Sequence, residues 1–228
     1  MLEDKRIRVI IGHYGSGKTE FAVNYALKLA EEGKKVAIAD LDVVNPYFRS
    51  REKAEMMEAK GIKVIASSIN APAIDVPAIS AAVLVPFQDK SVEGILDVGG
   101  DPAGARVLGR YQAEFKKNEY DMFCVINANR PETDTAEKAI AYLRKIEATA
   151  RAKVTGLINN THLIEYTEVE DVMKGQKLVE EVSRQTGIPV KYVSVLERLV
   201  PQIDENAIQG IVFPIKMIMR EEWMLNTK

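Results

Sequence analysis

Cysteine is almost absent from this 228-residue chain, and the single one, Cys124, lies inside the apolar run Met122 to Ile126. One thiol allows no internal disulfide and suits a reducing compartment, so a cytoplasmic location is expected. Histidine is nearly as scarce, with His13 and His162 the whole supply. No CxC or CxxC pair is available to hold nickel or bridge an iron–sulfur cluster, which argues against a cluster-carrying reductase. A charge excess is missing too. Lys and Arg number 31 against 33 Asp and Glu, a formal net charge of −2, so the chain lacks the footprint of a general nucleic-acid binder and no nucleic-acid partner is expected. No apolar run approaches the ~20 residues that span a bilayer, and the first strand-like run starts too early for a signal peptide.

What the chain does have is alternation. Short β-branched runs recur at Ile7 to Ile11, Lys35 to Asp40, Lys63 to Ala66, Gly94 to Val98, Met122 to Ile126, Lys153 to Ile158 and Val190 to Val195. Segments with helical spacing lie between them, such as Phe21, Tyr25 and Leu29, or Ala139, Tyr142, Leu143 and Ile146. The pattern predicts one α/β domain over residues 1–228, a three-layer sandwich around a mostly parallel sheet of about seven strands. Right-handed crossovers should cover both faces of that sheet. Asp134 with Glu137 and Thr167 with Glu170 fit capping boxes, and Gly33, Gly61 and Gly187 sit where helices should stop. Ser67 to Lys90 carries three prolines and no clean period. It reads as a loop and helix over the sheet edge or as part of a partner site.

Gly12-His13-Tyr14-Gly15-Ser16-Gly17-Lys18-Thr19 matches G-x-x-x-x-G-K-[ST], following an apolar strand and opening a helix. Glycines let successive backbone N–H groups converge on phosphate oxygens, and the helix N-terminus adds a favourable dipole. Lys18 should reach the β- and γ-phosphates and Thr19 should ligate Mg²⁺, with Gly12, Gly15, Ser16 and Gly17 forming the cradle. The bland alternative is a glycine-rich turn with an exposed lysine.

Hydrolysis also needs a metal-holding carboxylate and a group that orients water. Ile95-Leu96-Asp97-Val98-Gly99-Gly100 ends a strand in an acid followed by D-x-x-G, which places Asp97 in the Mg²⁺ shell and the Gly100 N–H at a γ-phosphate. Ala39-Asp40-Leu41-Asp42 closes another strand with two acids on one side, Asp42 to align water and Asp40 to support the metal. Plain turn and cap roles remain open for all three acids. Val43 to Arg51 reads as a switch loop, in which Arg49 and Arg51 either neutralise transition-state charge or sit at a solvated helix start. Asn127 to Asp134 either lines the same pocket or is a loop with its helix cap.

With these elements together, the chain resembles the MinD/ParA/CobQ-like (SIMIBI-class) P-loop ATPases, in a stand-alone branch. GHYGSGKT, ADLDVVNP and ILDVGGDPAG carry the likeness. The resemblance implies ATP and Mg²⁺ as cofactors, Asp42 as the switch I aspartate, Asp97 as the Walker B acid and Gly100 as the switch II glycine. It further implies that the asparagine after Gly156-Leu157-Ile158 reads the base, assigned to Asn160 with Asn159 as the alternative. Relatives often keep a signature lysine where this chain has His13, so the likeness supports ATP binding better than a nucleotide-dependent homodimer. The leading expectation is a slow Mg²⁺-dependent ATPase that acts as a switch for a protein partner. A CobQ/dethiobiotin-synthetase-like ligase or small-molecule kinase, with 67–90 as acceptor pocket, and a binding module without turnover are the alternatives. Ile215, Ile218, Met219 and Trp223 share a helical face at the C-terminal end. Without a basic excess, that face is expected to pack on the domain rather than on a membrane.

Overall fold

The computed structural model describes residues 3–42, 50–66 and 81–220. Eight parallel strands form one sheet: β1 (Ile7–Gly12), β2 (Lys35–Leu41), β3 (Lys63–Ala66), β4 (Val92–Val98), β5 (Tyr120–Ile126), β6 (Gly156–Asn159), β7 (Val190–Leu196) and β8 (Ile211–Ile215). Their spatial order is β3-β2-β4-β1-β5-β6-β7-β8. The connecting helices are α1 (Lys18–Glu31), α2 (Ala54–Glu58), α3 (Val85–Gln88), α4 (Pro102–Gly109), α5 (Gln112–Lys117), α6 (Ala136–Ala150) and α7 (Val169–Thr186).

Parallel strands covered on both faces bury every side chain, which is why β1 is buried at all six positions. Alternate residues feed two cores. Ile7, Val9 and Ile11 join the layer containing α4, α6 and α7, while Ile10 joins Phe21, Tyr25 and Leu29 of α1. Those three α1 residues recur every fourth position and are all fully buried, each contributing about 1.5–3 kcal/mol. Phe21, Tyr25, Tyr192 and Phe213 then stack into an aromatic cluster that locks α1 over β7 and β8.

Four details differ from the sequence reading. The sheet has an eighth strand, β8, parallel to β7 with Val195 opposite Pro214. The helical face expected from Ile215 onward is not formed among the described residues: Ile215 ends β8, 216–220 are irregular, and Trp223 lies outside the described residues. Both caps shift by one residue: Thr135 caps α6 by accepting the Lys138 N–H, and α7 is boxed by Glu168 and Asp171. Residues 85–92 pack at the amino ends of the strands, where Arg6, just before β1, donates to the carbonyls of Pro86 and Val92. That is the edge away from Lys18, so this part of 67–90 builds no pocket beside it; 67–80 lie outside the described residues. Gly33, Gly61 and Gly187 do end helices, each with positive φ.

Candidate functional site

The strand order reverses around β1, and the loops leaving the carboxyl ends of β1, β2, β4, β5 and β6 meet there, where open α/β sheets bind ligands. Gly12 ends β1 and Lys18 opens α1. The turn between them needs glycine at Gly15 and Gly17, whose φ angles are 73° and 81°. At Gly17 a Cβ would also fall 2.2 Å from Asn160 Nδ2. The helix-opening N–H groups have no intrahelical partner, and the helix begins on Gly17 without a side-chain cap. That leaves a set of donors aimed at an anion.

Lys18 is buried, only 6% exposed, beside three buried acids. Asp40 and Asp97 are register partners on β2 and β4. Asp40 Oδ1 accepts the Asp42 N–H at 3.0 Å, and Arg51 Nε lies 3.4 Å from Asp40 Oδ2. Asp40 thus holds the strand-end turn and Arg51 together. Burial pushes the Asp97 carboxyl up to about 7, with Asp40 and Asp42 adding to the rise while Lys18 and the Thr19 hydroxyl oppose it. Burial likewise raises Asp40 to about 6, against the Asp42 N–H and Arg51. Asp97 Oδ1 is buried with no hydrogen-bond partner.

These observations fit a divalent cation. Three buried acids lie near one lysine, and one of their oxygens, Asp97 Oδ1, has no hydrogen-bond partner. Among the described residues no trio of His, Cys, Asp or Glu is grouped to hold a metal alone. Mg²⁺ uses one or two carboxylates and takes its remaining ligands from phosphate and water.

Gly100 approaches the phosphate loop so closely that a Cβ would lie 2.7 Å from the Tyr14 nitrogen and 3.0 Å from the Gly12 oxygen. A Cβ on Gly99 would meet Asp42 Oδ1 at 3.1 Å, so the two strand-end loops touch. Tyr142 of α6 bridges the region, donating to the Gly100 carbonyl at 3.4 Å and packing edge-on against His13, with ring centroids 5.4 Å apart. His13 Nδ1 is 3.2 Å from the Tyr14 carbonyl oxygen and 3.9 Å from Glu132. These are contacts within its own chain.

A cavity of about 300 Å³ is lined by Gly15, Lys18, Thr19 and Asp42 and by the apolar side chains of Ile164, Leu196, Ile215, Met217 and Met219. Asn160 borders it and donates to the Ser16 carbonyl at 2.7 Å. Asn159 is used internally, bonding Val172 and Gln176 of α7 and accepting the Thr161 N–H. The structure therefore brings together Gly15, Gly17, Lys18, Thr19, Asp42 and Asn160 on the cavity, with Asp40 and Asp97 buried behind it. Arg49 lies outside the described residues.

Sequence reasoning gave no site role of their own to two lining residues, Arg130 and His162. Arg130, in the Asn127 to Asp134 loop, donates from Nε to the Gly15 carbonyl at 2.9 Å. His162 accepts the Ile164 N–H on Nδ1 at 3.3 Å, so the neutral ring carries its proton on Nε2. Burial, then Arg130 and Arg220, lower its pKa to about 4. Ile164 holds a φ of 62°, costly for a β-branched residue. Neither has a spacing signal; only the position of their loops at strand carboxyl ends pointed to them.

Among solved structures, the cell division protein FtsY of Thermotoga maritima superposes with a TM-score of 0.57 at 21% identity, over 85% of this chain and 63% of that one. FtsY of Mycoplasma mycoides gives 0.57 at 17%, over 86% and 61%. The signal recognition particle receptor FtsY of Elizabethkingia anophelis in complex with GDP gives 0.53 at 17%, over 86% and 58%. At these identities the likeness is one of fold, and the chain spans about three fifths of each of those proteins. No curated protein matches the chain. The model of the CobQ/CobB/MinD/ParA nucleotide binding domain matches residues 7–196, so the chain that carries this phosphate loop and its flanking acids belongs to that P-loop family.

Proposed function

We propose that the protein binds Mg·ATP and hydrolyses it slowly, using the two loops after Asp42 and Asp97 as a switch read by a protein partner. The observation that carries this reading is Lys18 buried beside Asp40, Asp42 and Asp97 on a cavity that is also lined by apolar side chains. Phosphate oxygens lie against the first turn of α1 and the Lys18 ammonium, which together offset charge building on the transferred group. Thr19 and Asp97 would hold the metal, with Asp40 behind them; bound there, Mg²⁺ supplies charge neutralisation on the phosphates. Asp42, against Gly99, aligns the attacking water. Gly100, packed on Tyr14 and Gly12, senses whether the terminal phosphate is present.

Adenine is favoured because the two carboxylates that line the cavity among the described residues are engaged elsewhere. Guanine presents paired N–H donors that call for an acceptor. Of the lining acids, Glu20 already accepts the N–H groups of Ile218 and Met219, and Asp42 stands at the phosphate end. One of the structural neighbours is seen with GDP, so the nucleotide is to be tested directly. Phosphate release from ATP and from GTP, with and without Mg²⁺, is the measurement. ATP with Mg²⁺ should be the substrate. Lys18→Ala should abolish nucleotide binding, whereas Asp42→Asn should keep binding and lose about 10²-fold or more in turnover. Wild-type turnover in Asp42→Asn would remove that residue from the mechanism.

A further inference from the structure

After β8 the chain runs through 216–220 without helix or strand, yet Met217, Met219 and Arg220 line the cavity. An irregular segment needs something to fix it, and α1 provides that. Asn24 makes a reciprocal amide pair with Lys216: its Nδ2 donates to the Lys216 carbonyl at 2.9 Å, and its Oδ1 accepts the Lys216 N–H at 2.9 Å. This imitates one rung of a β-ladder with a side chain. One turn earlier, Glu20 Oε1 accepts the N–H of Ile218 at 2.6 Å and of Met219 at 3.2 Å, with Oε2 3.3 Å from the latter. Charge-assisted bonds of this kind are the stronger class. Asn24 Nδ2 also donates to the Glu20 carbonyl at 2.8 Å, joining the two anchors.

Glu20 directly follows Thr19, so the helix that presents the phosphate-binding donors also carries the anchors of the strap. Methionine thioethers pack well on flat ring faces, and Met217 and Met219 line the cavity together with Ile215 and Leu196. We propose that Glu20 and Asn24 are positioning residues for base recognition: they hold residues 215–220 so that Met217 and Met219 close the slot that grips the purine ring. This rests on the reading of the cavity as a nucleotide site, and it separates two tasks on one helix. Main-chain donors of the first turn take phosphate; the side chains of Glu20 and Asn24 set the wall that meets the base.

The test compares equilibrium binding of ATP with that of inorganic tripolyphosphate, both with Mg²⁺, across wild type, Glu20→Ala, Glu20→Gln and Asn24→Ala. Wild type should prefer ATP. Glu20→Ala and Asn24→Ala should each weaken ATP by about tenfold while moving tripolyphosphate by less than about twofold, so the preference collapses. Glu20→Gln keeps a carbonyl oxygen where Oε1 accepts both N–H groups and should recover most of it. An unchanged ATP preference in both alanine variants, or a parallel loss of both ligands, overturns the proposal. A wild type that fails to bind ATP at all overturns the nucleotide reading beneath it. A wild type that binds ATP but prefers it no more than tripolyphosphate sinks the base slot alone.

Discussion

His162 is kept neutral by its surroundings: Arg130 and Arg220 add positive charge, the ring is largely buried, and Nδ1 is committed to the Ile164 N–H. Its folded pKa of about 4 lies below the ordinary 6.5. Below pH 6.5 the unfolded chain gains a proton that the folded chain resists. The contribution is therefore fully present above about 6.5 and is lost as pH falls toward 4, up to about 3 kcal/mol at 1.36 kcal/mol per unit. Denaturant unfolding of wild type and His162→Gln between pH 7 and 4 checks this; wild type should lose more, and equal losses would refute it. Individual residues were legible in the sequence where chemistry restricts the choice. Gly17 and Gly100 had to be glycine, the one for φ and the other for backbone approach to Tyr14. Arg130 and His162 obey no such restriction, because an arginine or histidine in a loop is commonplace.

At the scale of elements, the pairing of β2 with β4 sets Asp40 beside Asp97 and buries both, a desolvation cost that raises both carboxyls and that the Asp40 charge deepens at Asp97. Removing one charge should relieve it. Asp97→Asn is expected to raise the melting temperature of nucleotide-free protein by roughly 2–5 °C at pH 8, while erasing any further gain from adding Mg²⁺ to ATP. A lower melting temperature for the variant would contradict the account. The acids were readable because each closes an apolar run. β8 was not, since Pro214 interrupts its pattern; the edge position, with Pro214 exposed, is what lets a proline sit there. The caps slipped for a related reason. Asp134 and Thr135 are adjacent capping residues, and spacing alone does not choose between them.

For the molecule as a whole, a ligand that binds only the folded chain adds stability by mass action. Mg·ATP at 100 times its dissociation constant should contribute about 2.7 kcal/mol, raising the melting temperature by about 5–10 °C. Thermal unfolding against ATP concentration measures it, and a flat response would exclude ATP as the ligand. The alternation of strand and helix made the layered architecture readable, because buried parallel strands leave so plain a trace in composition. The apolar lining of the cavity stayed hidden: its side chains come from β7, β8, the short 3-10 turn at Ile164 and the irregular stretch after β8, which meet only in three dimensions. One consequence follows from where β8 lies. The residues matching the family end at 196, whereas β8 and the strap after it begin beyond 210. The phosphate loop and the anchors Glu20 and Asn24 thus lie within the matched block, and the wall proposed for the base lies beyond it. Exchanging Met217 or Met219 is therefore expected to change which nucleotide is preferred while leaving Lys18, Asp42 and Asp97 untouched, as an interchangeable adaptor fitted to a fixed drive.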